Sequence, residues 1–342
     1  NDEPLALAVD GSGNVFVTGE SRSSDTHYDF ATIKYTASGD TAWVRRYNGG
    51  GNNYDGASAL AVDGSGNVYV TGSSLGSAAQ YYYATIKYNA AGDSVWVRRI
   101  DFSGSTDQAK GVAVDGSGNV YVTGFVTDVA AGYYDALTVK YTSTGDTAWT
   151  GRYGAGTSTH QRAYGIGGDG TGNVYVAGTS LDPSATPVFL ARYSSTGSLD
   201  WSTTYSTSQH TVNEVAGLVV NSAGTCVVFG STQGPPDNMQ DFLMLKYDNA
   251  GQSQWASTYA AYDNAHDYGY AMALDDSGYV YVTGATFWSN AGYDNITTAK
   301  LHSNGDTAWV RYYNGGSSDV GRDIAVDAQG NVFVTGETYQ SP

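Results

Sequence analysis

The sequence has few of the residues that mark disulfide-bonded, membrane-spanning or nucleic-acid-binding proteins. Its one cysteine, Cys226, excludes an internal disulfide, and its apolar setting in residues 225–229 is typical of a packed strand residue. No run approaches the ~18 apolar residues of a membrane helix. Only 16 Lys and Arg oppose 33 Asp and Glu, for a net charge of −17, which would repel phosphate backbones and anionic lipid. We therefore expect neither nucleic acid nor membrane insertion.

Proline is also scarce, with 6 residues, whereas glycine reaches 45 and tyrosine 29. This composition is typical of many short strands joined by tight turns, and it differs from that of a disordered chain. With 41% hydrophobic residues, the 342-residue chain can bury a large core. The composition predicts an all-β fold.

Two segments repeat along the whole chain. The first, seen at 10–19 as Asp-Gly-Ser-Gly-Asn-Val-Phe-Val-Thr-Gly, recurs seven times at intervals of 52 to 54 residues. The second, seen at 31–43, recurs only six times and ends in a tryptophan. The regular spacing indicates that every unit folds into the same supersecondary structure. The tryptophans are Trp43, Trp96, Trp149, Trp201, Trp255 and Trp309.

Each unit contains four short segments rich in Val, Ile, Tyr, Thr and Trp, separated by Gly, Asp, Asn and Ser. This pattern predicts four antiparallel strands, A to D, which in the second unit include residues 60–62, 68–70, 84–88 and 95–97. Four-stranded units of this length, repeated around a ring, are the blades of a β-propeller. A solenoid is the alternative, although its coils are usually shorter.

The counts of the two repeat halves decide the expected number of blades. Seven A–B halves and six C–D halves predict a single seven-bladed propeller over 1–342, with the last blade incomplete, and a six-bladed ring with a dangling hairpin is the alternative. An incomplete blade would expose the edge of its strand B, which favours a protein partner or self-association there. The approximate blades are 1–48, 49–101, 102–154, 155–206, 207–260, 261–314 and the half blade 315–342.

Both halves of the repeat resemble the SBBP family of bacterial β-propeller repeats and, more distantly, NHL repeats. The resemblance rests on Ala-Val-Asp-Gly-Ser-Gly-Asn-Val-Tyr-Val-Thr-Gly at 61–72 and on the segment from Ala-Thr-Ile-Lys-Tyr to Trp at 84–96. It implies a secreted or cell-surface bacterial protein, often part of a larger adhesin-like chain. The family defines no catalytic residues.

The B–C connections and D–A crossovers vary more than the other turns, and variable loops on a rigid scaffold are where recognition usually occurs. Aromatic residues stand there beside carboxylates and amides, a combination that suits carbohydrate or protein contacts. The alternative is that these rings only close the ends of the blades. The candidate contact residues are Tyr28, Tyr82, Tyr134, Trp288 and Tyr293.

An acidic residue stands eight positions before the Asp of most A–B turns. If strand A lines the axis, these carboxylates would form a ring at the channel mouth that could hold Ca²⁺, but such residues more often hydrogen-bond the backbone of the neighbouring blade. The repeated Asp-Gly-Ser-Gly-Asn lacks the closing Glu of a calcium loop and is interpreted as a turn. The candidate ligands are Asp55, Asp107, Asp267 and Asp319, in a series with Asp2, Gln161 and Asn213.

No nucleophile–histidine order, distinctive pair of carboxylates or phosphate loop occurs. We therefore expect a non-enzymatic extracellular or cell-surface propeller with a structural or adhesion role, assembling by strand complementation of the incomplete blade. A glycan-binding, lectin-like propeller is the alternative. A propeller hydrolase or lyase with an acidic channel mouth is the third hypothesis.

Overall fold

The computed structural model describes residues 2–22, 27–50, 53–76, 80–102, 106–154, 158–181, 186–206, 211–233, 239–260, 265–275, 277–288 and 292–339. Its regular elements are strands, and no helix in these ranges has the length and apolar character to cross a membrane. The strands are β1 (Asp2–Val9), β2 (Val15–Arg22), β3 (Tyr28–Tyr35), β4 (Thr41–Tyr47), β5 (Asp55–Val62), β6 (Val68–Leu75), β7 (Tyr81–Tyr88), β8 (Ser94–Ile100), β9 (Asp107–Val114), β10 (Val120–Asp128), β11 (Tyr133–Tyr141), β12 (Thr147–Tyr153), β13 (His160–Gly168), β14 (Val174–Leu181), β15 (Val188–Tyr193), β16 (Leu199–Tyr205), β17 (Thr211–Val220), β18 (Cys226–Gln233), β19 (Gln240–Tyr247), β20 (Ser253–Tyr259), β21 (Asp267–Leu274), β22 (Val280–Trp288), β23 (Tyr293–Leu301), β24 (Thr307–Tyr313), β25 (Asp319–Val326) and β26 (Val332–Thr338).

These strands form antiparallel sheets in which each strand pairs with the next one along the chain. Six sheets have four strands each, from β1-β2-β3-β4 to β21-β22-β23-β24, and β25 pairs with β26 in a two-stranded sheet. The protein is thus a β-propeller of four-stranded antiparallel blades, as the repeat predicts. The first strands of successive sheets pack side by side around a central channel.

The expected number of seven blades is not what the described residues contain. They form six four-stranded blades, the number in the alternative prediction, because the sequence supplies only six C–D halves. The remaining A–B half is the β25–β26 sheet. It does not dangle, because β25 packs against β21, β22 and β23 on one side and against β1 on the other.

The repeated A–B turn is held by the side chain of its first aspartate. In the second blade the backbone N–H groups of Ser65 and Asn67 donate to one oxygen of Asp63, at 2.9 and 3.0 Å. The Asn67 amide and the Tyr69 hydroxyl donate to the other oxygen, at 2.7 and 2.9 Å. Gly66 completes the turn with a φ of 75°, which favours glycine. Both oxygens of this aspartate thus accept hydrogen bonds from within the A–B hairpin, in agreement with its interpretation as a turn instead of a calcium loop.

Adjacent blades are joined by the tryptophan of strand D. Trp96 lies 6.0 Å from the ring of Tyr141 in the next blade and donates its indole N–H to the Ser143 carbonyl at 3.2 Å. Lys87 donates to the same carbonyl at 3.4 Å. The indole is 7% exposed, so most of its surface is buried between the blades. Trp43 and Trp96 are therefore core residues of the blade interfaces, whereas the four later tryptophans of the repeat are half-buried.

Candidate functional site

One face of the propeller carries the starts of the A and C strands, the ends of the B and D strands, and the crossovers between blades. The predicted contact residues lie there, but at strand ends instead of in loops. Tyr28 and Tyr293 are the first residues of β3 and β23, and Tyr82 and Tyr134 are the second residues of β7 and β11. Trp288 is the last residue of β22, and its side chain lies outside the described residues.

The four described tyrosines are half-buried and pack against neighbouring side chains. Tyr28 lies 6.0 Å from the ring of Tyr54. The guanidinium of Arg99 lies 4.2 Å from the ring centre of Tyr82, and the Tyr293 hydroxyl accepts from Asn314 at 3.3 Å. These contacts fit rings that close the blade ends, and a ligand-binding role for them stays a prediction.

Tyr134 belongs to a cation–aromatic cluster beside the channel mouth. The Arg162 guanidinium lies 4.7 Å from the ring centre of Tyr134 and 5.3 Å from that of Phe125. The Lys110 ammonium lies 5.9 Å from the ring centre of Phe125, and burial lowers the pKa of this lysine. Burial also raises the pKa of Glu214, although the charges of Lys110 and Arg162 oppose that rise. The cluster thus combines both signs of charge with two aromatic faces.

A second polar group lies at the mouth beside the first blade. The Tyr54 hydroxyl donates a hydrogen bond to the Glu20 carboxylate. Burial raises the pKa of Glu20, partly offset by that bond, and the pKa of Tyr54 is also raised, first by burial and then by the bond to Glu20. These groups keep their protons more strongly than in water, which suits hydrogen bonding to a neutral polar ligand.

The candidate metal ligands of the acidic series are the first residues of their A strands, and so belong to the strands instead of preceding them. Asp55, Asp107 and Asp319 are buried, and each accepts a backbone N–H from the preceding crossover, at 2.6 Å from Gly49, 2.6 Å from Phe102 and 2.5 Å from Gly315. Asp267 is also buried and accepts from the Thr286 hydroxyl at 2.5 Å.

These carboxylates are therefore spread over separate blades. Over the described ranges, no three His, Cys, Asp or Glu side chains come together in a group that could hold a metal ion. Asp55, Asp107 and Asp319 instead accept hydrogen bonds from their crossover backbone, and Asp267 accepts one from a hydroxyl, so calcium binding by this series stays a prediction. The competing prediction is a hydrogen bond to the backbone of the neighbouring blade; the observed donors for Asp55, Asp107 and Asp319 are backbone N–H groups of the crossover just before each aspartate.

Apolar side chains that complete blades bury are exposed at the β25–β26 sheet. Val334 in β26 is 38% exposed, and the outer edge of this strand pairs with no other strand in the described residues. On the neighbouring sixth blade, Tyr312 and Tyr313 are 41% and 56% exposed. The residues equivalent to Val334 in the second to sixth blades are at most 2% exposed: Val70, Val122, Val176, Val228 and Val282.

A cleft of about 550 Å³ separates the β25–β26 sheet from the first blade. Phe333 and Asn331 line one wall, and Tyr35, Ala37 and Gly39 line the other. In complete blades the position of Phe333 is buried, as for Tyr69 at 0% and Tyr121 at 2%, whereas Phe333 is only half-buried. The open edge of β26 and this cleft form one continuous surface, here called the open-blade site.

Four segments of the chain match a known repeat profile. Residues 42–77, 95–124, 257–286 and 308–341 match the sequence profile of the SBBP β-propeller repeat. The chain carries SBBP repeats. The resemblance inferred from the two repeat halves is confirmed, together with the propeller fold. No curated protein sequence matches this SBBP propeller closely enough to count as a relative.

Solved structures similar to this SBBP propeller have very different sequences. The β-propeller domain of the Trilobed protease from Pyrococcus furiosus, described as having an open velcro topology, has a TM-score of 0.56 and 9% identity, covering 95% of this chain and 87% of that one. A polysaccharide lyase, an ulvan lyase, has a TM-score of 0.56 and 10% identity, covering 96% and 88%. Acylaminoacyl peptidase from Pyrococcus horikoshii has a TM-score of 0.57 and 8% identity, covering 99% of this chain and 49% of that one.

This SBBP propeller therefore spans about half the length of that peptidase. At such identities the likeness shows the fold alone. The neighbours include enzymes, so the fold does not decide whether this chain is one.

The charged residues at the mouth of this SBBP propeller are not among the site residues predicted from the sequence. Lys110, Arg162 and Glu214 stand in strands A, where the second blade has Ser58 and Gly56 at the corresponding positions. An alignment of the strand A segments of the repeats, position by position, would reveal these charged residues as departures from the repeat. Their mutual proximity across three blades does not follow from any spacing in the sequence.

Proposed function

We propose that this SBBP propeller is a non-enzymatic structural module that binds another polypeptide segment by strand addition at β26. The observation that carries the proposal is the exposure of Val334, 38% against at most 2% at five equivalent valines. In those blades a third strand pairs with strand B, and its side chains enclose the valine together with those of the preceding blade, as Ile86 and Phe16 do in the buried cluster that contains Val70. On β26 the same surface is available to an incoming strand.

Two physical terms favour strand addition here. An open strand edge presents unpaired N–H and C=O groups that another strand can satisfy, and main-chain pairing of this kind is a general mode of peptide recognition. Apolar surface that remains exposed on Val334 and Tyr313 adds a hydrophobic gain when it is covered. A two-stranded sheet is also marginal by itself, so a third strand would stabilise it.

The experiment uses a fluorescent peptide with the sequence of strand C of the second blade, residues 81–88, and measures its anisotropy as the full chain is added. We expect saturable binding that Val334→Lys abolishes, because a charge on the open edge opposes pairing. Val95→Lys is the matched control, since Val95 is 53% exposed on the outer strand of a complete blade. Absence of binding, or equal binding to both variants, would contradict strand addition at β26.

The resemblance to secreted and surface repeats leads us to propose an extracellular or cell-surface location for the module, with adhesion as its wider role. Detection of the protein in surface and secreted fractions of the source bacterium tests the location. Retention of the whole population in the cytoplasm would contradict it.

A second candidate function is glycan binding at the channel mouth, favoured by the packing of Arg162 on Tyr134 and Phe125. Aromatic faces beside charged hydrogen-bond donors suit sugar rings. A glycan array with the full chain tests it, and Tyr134→Ala should remove any selective signal. Binding that survives this change while Tyr205→Ala, on the outer strand of another blade, removes it would exclude the mouth as the site.

A further inference from the structure

The interfaces between complete blades show what normally fills a cleft like the open-blade site. In four interfaces the indole N–H of a strand D tryptophan donates to a carbonyl in the C–D turn of the next blade, at 3.1 to 3.3 Å. A strand C lysine reaches the same carbonyl in three of them. The donor–acceptor pairs are Trp43 to Ala90, Trp96 to Ser143, Trp149 to Ser195 and Trp201 to Asn249.

A glycine in each receiving turn provides the space for the tryptophan. A Cβ on Gly92 would lie 2.9 Å from the ring of Trp43, and one on Gly145 would lie 2.9 Å from that of Trp96. The same close approach, at 2.7 and 2.8 Å, occurs at Gly197 and Gly251. The C–D turns of the second to fifth blades are thus shaped to receive an indole from the blade before.

The first blade has the same receiving turn, but no residue in the described part of the chain fills the corresponding position. Its Ala37 and Gly39 correspond to Ala90 and Gly92. A Cβ on Gly39 would meet no atom within 4 Å, and Gly39 is exposed whereas Gly92 is buried. Both residues line the cleft that faces β26. The first blade therefore has a free seat for a tryptophan, on the side where the β25–β26 sheet has no outer strands.

The tyrosine beside this seat is also more exposed in the first blade than in the second to fifth blades. Tyr35, the last residue of strand C in the first blade, is half-buried. The equivalent tyrosines pack against the preceding blade and are at most 4% exposed. They are Tyr88, Tyr141, Tyr193 and Tyr247.

A second copy of this chain cannot fill the site without losing a blade of its own. All six C–D pairs in the described ranges are hydrogen-bonded to the strand B of their own blade. Donating one of them would break that pairing and expose a buried interface. The occupant must bring its own C and D strands.

We propose that the open-blade site binds a two-stranded hairpin of the C–D type of this same repeat, carried by a different polypeptide segment. This inference rests on the proposed function and names its partner. The hairpin's strand C pairs with β26, so that Val332 lies opposite its last tyrosine, in the register that joins Val68 to Tyr88. Its tryptophan stacks on Gly39, and its lysine and indole donate to the Ala37 carbonyl.

An arginine of the hairpin completes the recognition. In the first two interfaces the arginine two residues after the tryptophan donates through Nε to the carbonyl of the turn glycine, Arg45 to Gly92 at 2.6 Å and Arg98 to Gly145 at 2.5 Å. The corresponding acceptor on the first blade is the Gly39 carbonyl. The partner is thus defined by Lys, Trp and Arg at fixed spacing within a hairpin, as in residues 81–100.

The test is a titration of the full chain into a fluorescent peptide with the sequence of residues 81–100. We expect binding that falls at least tenfold when the peptide carries Trp96→Ala, and severalfold with Lys87→Ala, because each change removes an anchor. In the chain, Gly39→Asn should lower affinity at least tenfold, since its Cβ would occupy the indole position. Gly50→Asn is the matched control, because Gly50 has a φ of 87° as Gly39 does and also has open space around it.

The outcomes separate this inference from the proposed function. If the hairpin binds and Val334→Lys abolishes binding, but Trp96→Ala and Gly39→Asn have no effect, strand addition stands and the C–D identity of the partner is overturned. If neither the strand peptide nor the hairpin binds, both fail. Self-association of the chain alone that Val334→Lys removes would make a second copy the occupant and overturn the inference. The peptide variants keep the test decisive if Gly39→Asn does not fold.

Discussion

The backbone N–H of Leu7 donates a hydrogen bond to the carboxylate of Asp323, which joins β1 to β25 across the point where the first and last sheets meet. The adjacent Arg322 guanidinium lies 3.9 Å from the Glu3 carboxylate and contributes a second polar contact between the two sheets. Other blades have alanine or glycine in the position of Asp323, such as Ala59. A carboxyl that occurs at this strand A position only in the last repeat therefore joins β25 to β1.

This contact predicts an unusual pH dependence of stability. Burial raises the pKa of Asp323 to about 7, although the N–H groups of Leu7 and Ile324 oppose the rise. Because the folded-state pKa lies above the unfolded value, the contribution to stability is present at low pH and is lost as the pH rises through 7. Asp323→Asn keeps an acceptor for Leu7 but no charge, so we expect it to gain on the order of 1–2 kcal/mol over the wild type at pH 8.

Urea unfolding at pH 5 and pH 8 measures this difference. The advantage of Asp323→Asn should shrink toward pH 5, because the wild-type carboxyl is then neutral in the folded state. An advantage that stays the same at both pH values would show that the carboxyl does not titrate in this window.

The same substitution of a repeat tryptophan by alanine should lower the free energy of unfolding by different amounts at different blades. Trp96→Ala removes a buried indole and a hydrogen bond between blades, so we expect a loss of about 3–4 kcal/mol. Trp309 is half-buried and has no receiving C–D turn among the described residues, so Trp309→Ala should cost only about 1–2 kcal/mol. Unfolding midpoints in urea compare the two variants. Equal losses would mean that Trp309 is as well packed as the others.

The repeat sequence predicts much of this fold for identifiable reasons. The spacing of Gly66 and Trp96 relative to their copies defines the blade, because alternating strands and fixed turns have local sequence signals. The first residue of strand A, in contrast, cannot be predicted from the local sequence. Asp55 reads as a loop residue, yet the strand starts there because it pairs with Ser74 of strand B. The six complete blades follow from the number of C–D halves.

The candidate sites were harder to predict because they depend on contacts between blades. The seat at Gly39 is visible only when the surroundings of several equivalent glycines are compared in space. Similarly, Arg162 comes to lie over Phe125 although they belong to different blades. Sequence periodicity shows which positions are equivalent, but not which of them lack a neighbour.

The A–B turn predicts a loss of stability in acid. Burial would raise the pKa of Asp63, but hydrogen bonds from Asn67, Tyr69 and Ser65 outweigh it and lower the pKa. A lowered pKa contributes stability above the unfolded value and loses it as the pH falls. We expect Asp63→Asn to cost about 1 kcal/mol at neutral pH and nothing once the wild-type carboxyl is protonated. Tyr69→Phe should have a smaller effect in the same direction. Thermal melts from neutral pH to pH 3 measure the effect. If Asp63→Asn lowers the stability by the same amount at every pH, this account is contradicted.

The buried aspartates at the start of strand A predict a structural effect that does not depend on calcium. Asp107 is fully buried and accepts the backbone N–H of Phe102, so Asp107→Ala would leave that N–H without its acceptor. We expect a loss of about 2 kcal/mol, the usual cost of an unpaired buried group. Asp101→Ala, at an exposed position of the same crossover, should cost much less.

Thermal melts of both variants, with millimolar Ca²⁺ and with a chelator, measure the effect and its origin together. If Asp107 only holds its crossover, Ca²⁺ should shift the wild type and Asp107→Ala equally. A stabilisation by Ca²⁺ that is present in the wild type and lost in Asp107→Ala would instead make this carboxylate a calcium ligand. Because its Oδ2 atom already lies 2.6 Å from the Phe102 nitrogen, we expect the equal shift.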